Sequence, residues 1–210
     1  NIDSSQLTCT RDENNGMTIY RFTAKGMPAV KRCGRVPSPL YYMPHIVPMV
    51  VSYRFTGGDR DSAISADAES VHGYEYNFVR NLNVRIDSPL AKKAAELTKG
   101  DKTKRDKVAH IYDWVQKNIH YTPYDNGLDG FIPRLADTVF KRKYGDCKDM
   151  ASIAAAMCKS VGIPAYFASV GANDLPYSLS EVPSPATFNH KVCAVKLDNE
   201  WLFLDGTDPS

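Results

Sequence analysis

Apolar residues recur with two different periods along this chain, and the change falls near residue 86. In the first part, "MTIYRFTAKGM" (17–27) reads as a strand. The alternation of aromatic and polar positions in "GYEYNFVRNLNVRI" (73–86) predicts one or two more. Between them, "RVPSPLYYMPHIVPMVV" (35–51) carries four prolines, which exclude a helix and predict an extended surface or crossover segment. Residues 1–85 are therefore expected to be a β-rich segment, the end of a larger domain.

From Ser88 the spacing becomes helical. "SPLAKKAAELT" offers Ser88 as N-cap and Pro89 as first helical residue. Val108, Ile111, Tyr112, Val115 and Ile119 recur every three or four positions, predicting a helix from about Lys102 to Asn118. A loop is expected over 120–133 and a short helix in "RLADTVFKRKYG", ending near Gly145. Next comes "YGDCKDMASIAAAMCKSVGIPAY" (144–166), apolar on most sides and so expected to be a buried helix. Asp146 and Asp149 stand at capping-box spacing at its start, and Gly162 and Pro164 stop it. "AYFASV" (165–170) predicts a strand, 171–187 a long loop with three prolines, and "HKVCAVKLDNEWLFLD" (190–205) a hairpin turning at Asp198-Asn199.

With 210 residues and 43% hydrophobic positions, the chain can bury a sizeable core without metals or disulfides. A net charge of +2, and a basic cluster at 99–107 interleaved with acids, argue against nucleic acid as a partner. No apolar run approaches the roughly 20 residues that span a bilayer. The polar start "NIDSSQ" shows no signal peptide, and the ending "WLFLDGTDPS" reads as that of a cut chain. Five cysteines without a CxxC pair describe neither a disulfide framework nor a zinc site. Cys9 and Cys33 remain free to pair if the protein is exported.

Position singles out Cys147. A cysteine wanted for packing belongs inside the apolar run, as Cys158 does about 16 Å further up the helix. Cys147 instead sits between Asp146 and Lys148 at the helix N-terminus. There, free N–H groups and a nearby imidazolium lower a thiol's pKa, and the same N–H groups can stabilise an oxyanion. A catalytic thiol also needs a base and an orienting partner. His110 and His120 fit structural roles, and His45 and His72 lack suitable partners. His190 opens the last hairpin. If Leu197 faces Glu200 across the turn, His190 and Asp205 project from the same side as diagonal neighbours, within reach of a hydrogen bond. A slip of one residue would separate them.

"YGDCKD" opening a buried helix that ends in "GIPA", then "FNH", then "WLFLDGTD", resembles the transglutaminase-like core of the papain-type thiol enzymes over roughly residues 86–210. The segment "YYMPHIVPMVVSYRF" is similar to the tail of a β-rich domain that precedes this core in large bacterial, often exported, proteins. The resemblance implies an α+β, papain-like fold with a nucleophile-bearing buried helix packed on an antiparallel sheet. It implies Cys147 as nucleophile, His190 as general base and acid, and Asp205 as the carboxylate orienting the imidazole. The reaction implied is acyl transfer from an amide or peptide through a thioester, hydrolysis ahead of cross-linking, with no cofactor or metal. Gly206 stands where better-known members have proline.

Trp114, Gln116 and Tyr144 are candidates for the side-chain oxyanion donor by chemistry alone. Trp201 and Phe203 share the face of His190 and either line an acyl cleft or pack the sheet. The loop 171–187 is a candidate border of the substrate site. Two rivals stand beside the thiol enzyme: a catalytically silent binding module of the same fold, and a metal site built from Cys147, His190 and Asp146, Asp149 or Asp205.

Overall fold

The computed structural model describes residues 7–27, 29, 38–43, 45–83, 89–124, 126–172 and 175–207. Ser88 and Cys33 lie outside them, so the N-cap at Ser88 and a Cys9–Cys33 pairing are not addressed by the structure.

The N-terminal part opens with an antiparallel hairpin of β1 (Leu7–Asn14) and β2 (Met17–Ala24), turning at Asn15-Gly16. Both central residues have positive φ, which is why Asn-Gly suits this turn. The proline-rich segment forms a 3-10 turn at Pro39–Tyr41 and then irregular backbone, as its prolines require. A two-residue pairing joins β3 (Ser52–Tyr53) to β4 (Ser62–Ala63).

Residues 73–86 depart from expectation: their first half, 73–79, belongs to a helix, α1 (Ala68–Val79), and 84–86 lie outside the described residues. Asp67 caps it by accepting from the Ser70 N–H, and the Ser70 hydroxyl accepts from the Asp67 N–H. The aromatics that alternate in sequence also stand four residues apart. On a helix this pairs Tyr74 with Phe78 (centroids 5.1 Å) and stacks His72 on Tyr76 (5.8 Å), while Val71 is buried. The capping box and these i, i+4 pairs override the period-two pattern.

Pro89 is the first residue of α2 (Pro89–Leu97). Thr103 caps α3 (Lys104–Asn118) by accepting from the Asp106 N–H, and Val108, Ile111 and Val115 form its buried stripe. β5 (His120–Tyr121) pairs in parallel with β6 (Tyr144–Gly145), which follows α4 (Ala136–Arg142). The central helix is α5 (Cys147–Ser160), buried along nearly its whole length as its alanine-rich sequence predicts.

α5 packs on a three-stranded antiparallel sheet in the order β7 (Ala165–Val170), β8 (His190–Leu197), β9 (Glu200–Leu204). Ala165, Cys193, Val195 and Leu197 meet Ile153, Met157 and Cys158 of the helix in one core, with α2, α3 and α4 covering the other flanks. Each large side chain fully buried there contributes about 2 kcal/mol of hydrophobic stabilisation. The fold is thus α+β, with a buried helix on an antiparallel sheet. The core sets the helix N-terminus beside the start of β8.

Candidate active site

The approach to Cys147 is built by its neighbours. Gly145 ends β6, and a Cβ there would lie 2.5 Å from the Cβ of Asp149, so only glycine fits. Asp146 caps α5: its carboxylate accepts from the Asp149 N–H, and Asp149 accepts from the Asp146 N–H (both 3.3 Å). Both carboxylates are buried, and a buried charge persists only when paired. Lys148 pairs with Asp146 and also donates to the Tyr124 carbonyl (3.1 Å). Arg134 pairs with Asp149, donates its backbone N–H to the same carboxylate (2.7 Å), and lies over the Tyr124 ring at 4.3 Å. The helix start is therefore fixed by four interlocked charges.

Cys147 is the first residue of α5 and is partly exposed. Burial and the Asp146 carboxylate push its thiol above the ordinary value, while the Lys191 N–H, the Lys148 ammonium and the Lys148 N–H pull the other way and do not prevail. The expected lowering by a helix N-terminus is thus outweighed: the capping carboxylate that completes the helix start sits beside the sulfur. Cys158, in the core, is pushed up to about 12 by burial.

The hairpin register is the one expected, with Leu197 opposite Glu200. His190 and Asp205 accordingly meet, Nε2 to Oδ2 at 2.8 Å. The other ring nitrogen, Nδ1, is left to exchange a proton with a reacting group. Asp205 is itself anchored. The Thr207 N–H and hydroxyl donate to Oδ1 (3.0 and 2.7 Å), and the Tyr112 hydroxyl donates to the Asp205 carbonyl. Burial raises the Asp205 carboxyl, but the Thr207 donors and the His190 imidazole outweigh it and hold the pKa below the usual carboxylate value.

Cys147 and His190 line one cavity of about 250 Å³, to which Glu75, Pro185, Phe188 and Lys191 also contribute. Pro185 and Phe188 show that the end of the 171–187 loop and the residue following it border this cavity. Trp114, Gln116 and Tyr144 are not among its lining residues; Trp114 is buried against Phe140 and under the Lys143 ammonium. Trp201 and Phe203 neither line it nor pack inside the sheet: they are 48% and 65% exposed, and Trp201 lies beside Tyr166 and Lys196. His110 pairs with Asp101. Among the described residues, no group of three or more His, Cys, Asp or Glu side chains is placed to hold a metal ion. No helix among them is long and apolar enough to cross a membrane.

Four contributors carry no sequence signal that reading the chain detects. Arg134 and Lys148 look like surface charges, Lys191 like an outward strand residue, and Glu75 lies in the segment read as a strand.

No curated protein matches this chain. Among solved structures it is similar to a "putative protease" of Parabacteroides distasonis, at 16% identity and TM-score 0.65, over 97% of this chain and 36% of that one. It is also similar to a "putative cysteine protease" of Cytophaga hutchinsonii (23% identity, TM-score 0.44, 56% of this chain and 36% of that one). A third is the periplasmic domain of TgpA from Pseudomonas aeruginosa (17%, 0.38, 70% and 50%). The chain thus spans little more than a third of the first two relatives. The family model of the transglutaminase-like superfamily matches residues 91–206, more than half of the chain, and this protein belongs to that superfamily.

Proposed function

We propose that the protein transfers the acyl group of an amide or peptide through Cys147, His190 and Asp205, and that water is the usual acceptor. The observation that carries this reading is the His190–Asp205 hydrogen bond at 2.8 Å, with the imidazole lining the cavity that holds Cys147 at a helix N-terminus. In this reading Cys147 stays a thiol at rest, because burial and Asp146 disfavour its charge. His190 removes the thiol proton through Nδ1 as sulfur attacks the carbonyl carbon. The oxyanion that forms faces the free N–H groups at the start of α5. Collapse breaks the C–N bond, His190 passes the proton to the departing amine, and a thioester remains. Water, deprotonated by the same imidazole, then releases the acid and restores the thiol. Asp205 holds the ring by Nε2 throughout, the role the third group has in serine triads.

Hydrolysis is preferred to cross-linking because the Parabacteroides neighbour is named a protease. The raised thiol pKa also suits a silent binding module on the same fold, so the decisive experiment tests chemistry directly. Wild type, Cys147→Ala and His190→Ala are incubated with a fluorogenic peptide library, and alkylation of Cys147 in wild type and His190→Ala is followed by mass spectrometry. Peptide cleavage lost in both Cys147→Ala and His190→Ala supports the thiol enzyme. Absence of turnover, with alkylation of Cys147 indifferent to His190→Ala, supports the binding module.

A further inference from the structure

The cavity at Cys147 does not end at His190. It shares Glu75 and Phe188 with a second cavity of about 340 Å³, lined by Val71, Val79, Leu179 and Phe188 among others. That one shares His72, Tyr76, Val79 and Phe167 with a third, of about 460 Å³. The three form one trough. Its walls are α1 on one side and, on the other, β7 with the flank of α5 that carries Ser152, Ala155 and Lys159. At the junction near Cys147, Glu75 of α1 is tied to the sheet by the Lys191 ammonium (2.8 Å) and the Ser169 hydroxyl. At the far end, Asn83 bridges the Ser152 hydroxyl and the Ala136 N–H, both at 2.9 Å.

Chemistry changes along the trough. The middle is mostly apolar, with Glu75, His72 and Ser169 as its polar lining. The far cavity presents Arg80 and Lys159 and, among the described residues, has no acidic residue in its lining. Among the described residues neither cation has a carboxylate partner; Lys159 has only the Tyr166 ring, at 5.9 Å. One wall is β7, an edge strand of the sheet among the described residues, which offers its free edge to an extended chain. From Cys147 to Lys159 is twelve residues of α5, about 18 Å along the helix axis. An extended peptide covers that distance in five to six residues at about 3.3 Å each.

We propose that the trough seats an extended peptide with an apolar side chain next to the reacting amide and a carboxylate about five residues further on, held by Arg80 and Lys159. This rests on the thiol-enzyme reading of the site, and the test separates the two. The probes are fluorescein-labelled, acetylated and amidated octapeptides of Ala and Leu, carrying one Glu or one Gln at each position in turn. A Gln peptide with a free C-terminus distinguishes a terminal carboxylate from a side-chain one. Binding is measured by anisotropy with the Cys147→Ala variant, and turnover with wild type.

The expected result is one register at which Glu binds tighter than Gln by about fivefold per cation, the worth of an exposed ion pair. Salt should erode that preference. Arg80→Gln/Lys159→Gln should abolish it, and Arg80→Glu/Lys159→Glu should transfer it to a Lys peptide. Equal binding of Glu and Gln peptides at every position, or a preference that survives the double Gln variant, overturns the trough as an anion-reading site. If wild type then cleaves both peptides alike, the thiol-enzyme reading stands alone. If charge-dependent binding is present without any cleavage, the trough stands and the hydrolase reading falls.

Discussion

His190 Nε2 lies 2.8 Å from Asp205 Oδ2, fifteen residues apart in sequence and on one face of a two-residue hairpin. The contact fixes which ring nitrogen is left for chemistry. Replacing the carboxylate by an amide keeps the shape and loses the charge that stabilises an imidazolium. Asp205→Asn is expected to lower kcat/KM by up to about 10⁴-fold, the loss seen when a triad carboxylate becomes an amide, without blocking alkylation of Cys147. Steady-state kinetics beside mass-spectrometric labelling checks this. The same residue carries a pH signature. Its folded pKa is below the ordinary 3.8, so its contribution to stability is present above that value and is lost as pH falls through the folded one. Acid denaturation of wild type and Asp205→Asn should therefore differ near pH 5 and converge in stronger acid.

Two glycines separate space from conformation. At Gly145 a methyl group would strike the Cβ of Asp149, and the backbone of the α5 entry would have to move. Gly145→Ala is expected to cost about 2 kcal/mol, in the range of overpacked cores. Gly73 sits inside α1 with nothing within 4 Å of an added Cβ. Gly73→Ala should stabilise by up to about 1 kcal/mol, the helix-propensity difference. Thermal denaturation of this variant measures the gain.

Arg134 and Asp149 form an ion pair whose carboxylate is almost wholly buried. Removing the cation strands a charge at the start of α5. Arg134→Met is expected to destabilise by about 3–5 kcal/mol, and Arg134→Met/Asp149→Asn by less, since the second change removes the stranded charge. Urea denaturation of the two variants measures the difference. Recovery in the double variant separates the buried charge from the lost stacking of the Arg134 guanidinium on Tyr124.

What the sequence disclosed follows from which interactions are local. The cap at Asp146, the stripe of Val108, Ile111 and Val115, and the register at Asp198-Asn199 all depend on residues within a few positions of each other, and each is found as read. The His190–Asp205 contact was legible because a tight turn converts sequence separation into geometry. α1 was misread because its aromatics satisfy periods of two and of four at once, and the Asp67 cap, outside the alternating stretch, decides between them. Arg134, Lys191 and Glu75 were illegible for a different reason. Their partners lie 15 to 116 positions away, across tertiary contacts that no local pattern encodes. Cys147 opens α5 as read, but its thiol is pushed up and not down, because the site buries it and the capping motif that marks a helix start also sets a carboxylate beside the sulfur.

The four described cysteines should separate cleanly by reactivity. Cys9 is exposed and Cys147 partly so, whereas Cys158 and Cys193 are buried, with burial pushing the thiol of Cys158 up to about 12 and that of Cys193 higher still. In native protein at neutral pH, iodoacetamide should modify Cys9 and Cys147 and leave Cys158 and Cys193 intact until denaturant is added. Within the reactive pair the sign is fixed by the environment. A thiol raised above its ordinary value has less thiolate than a free cysteine at pH 7, and only the thiolate attacks. Cys147 should therefore label more slowly than Cys9 at neutral pH, and the gap should narrow as pH rises beyond 9. Asp146→Asn removes the second contributor to the rise and should accelerate Cys147 at pH 7 while leaving Cys9 unchanged. Faster labelling of Cys147 than of Cys9 at pH 7 in wild type would instead show that the His190 imidazole ionises the thiol before substrate arrives. Attack would then begin from a thiolate–imidazolium pair.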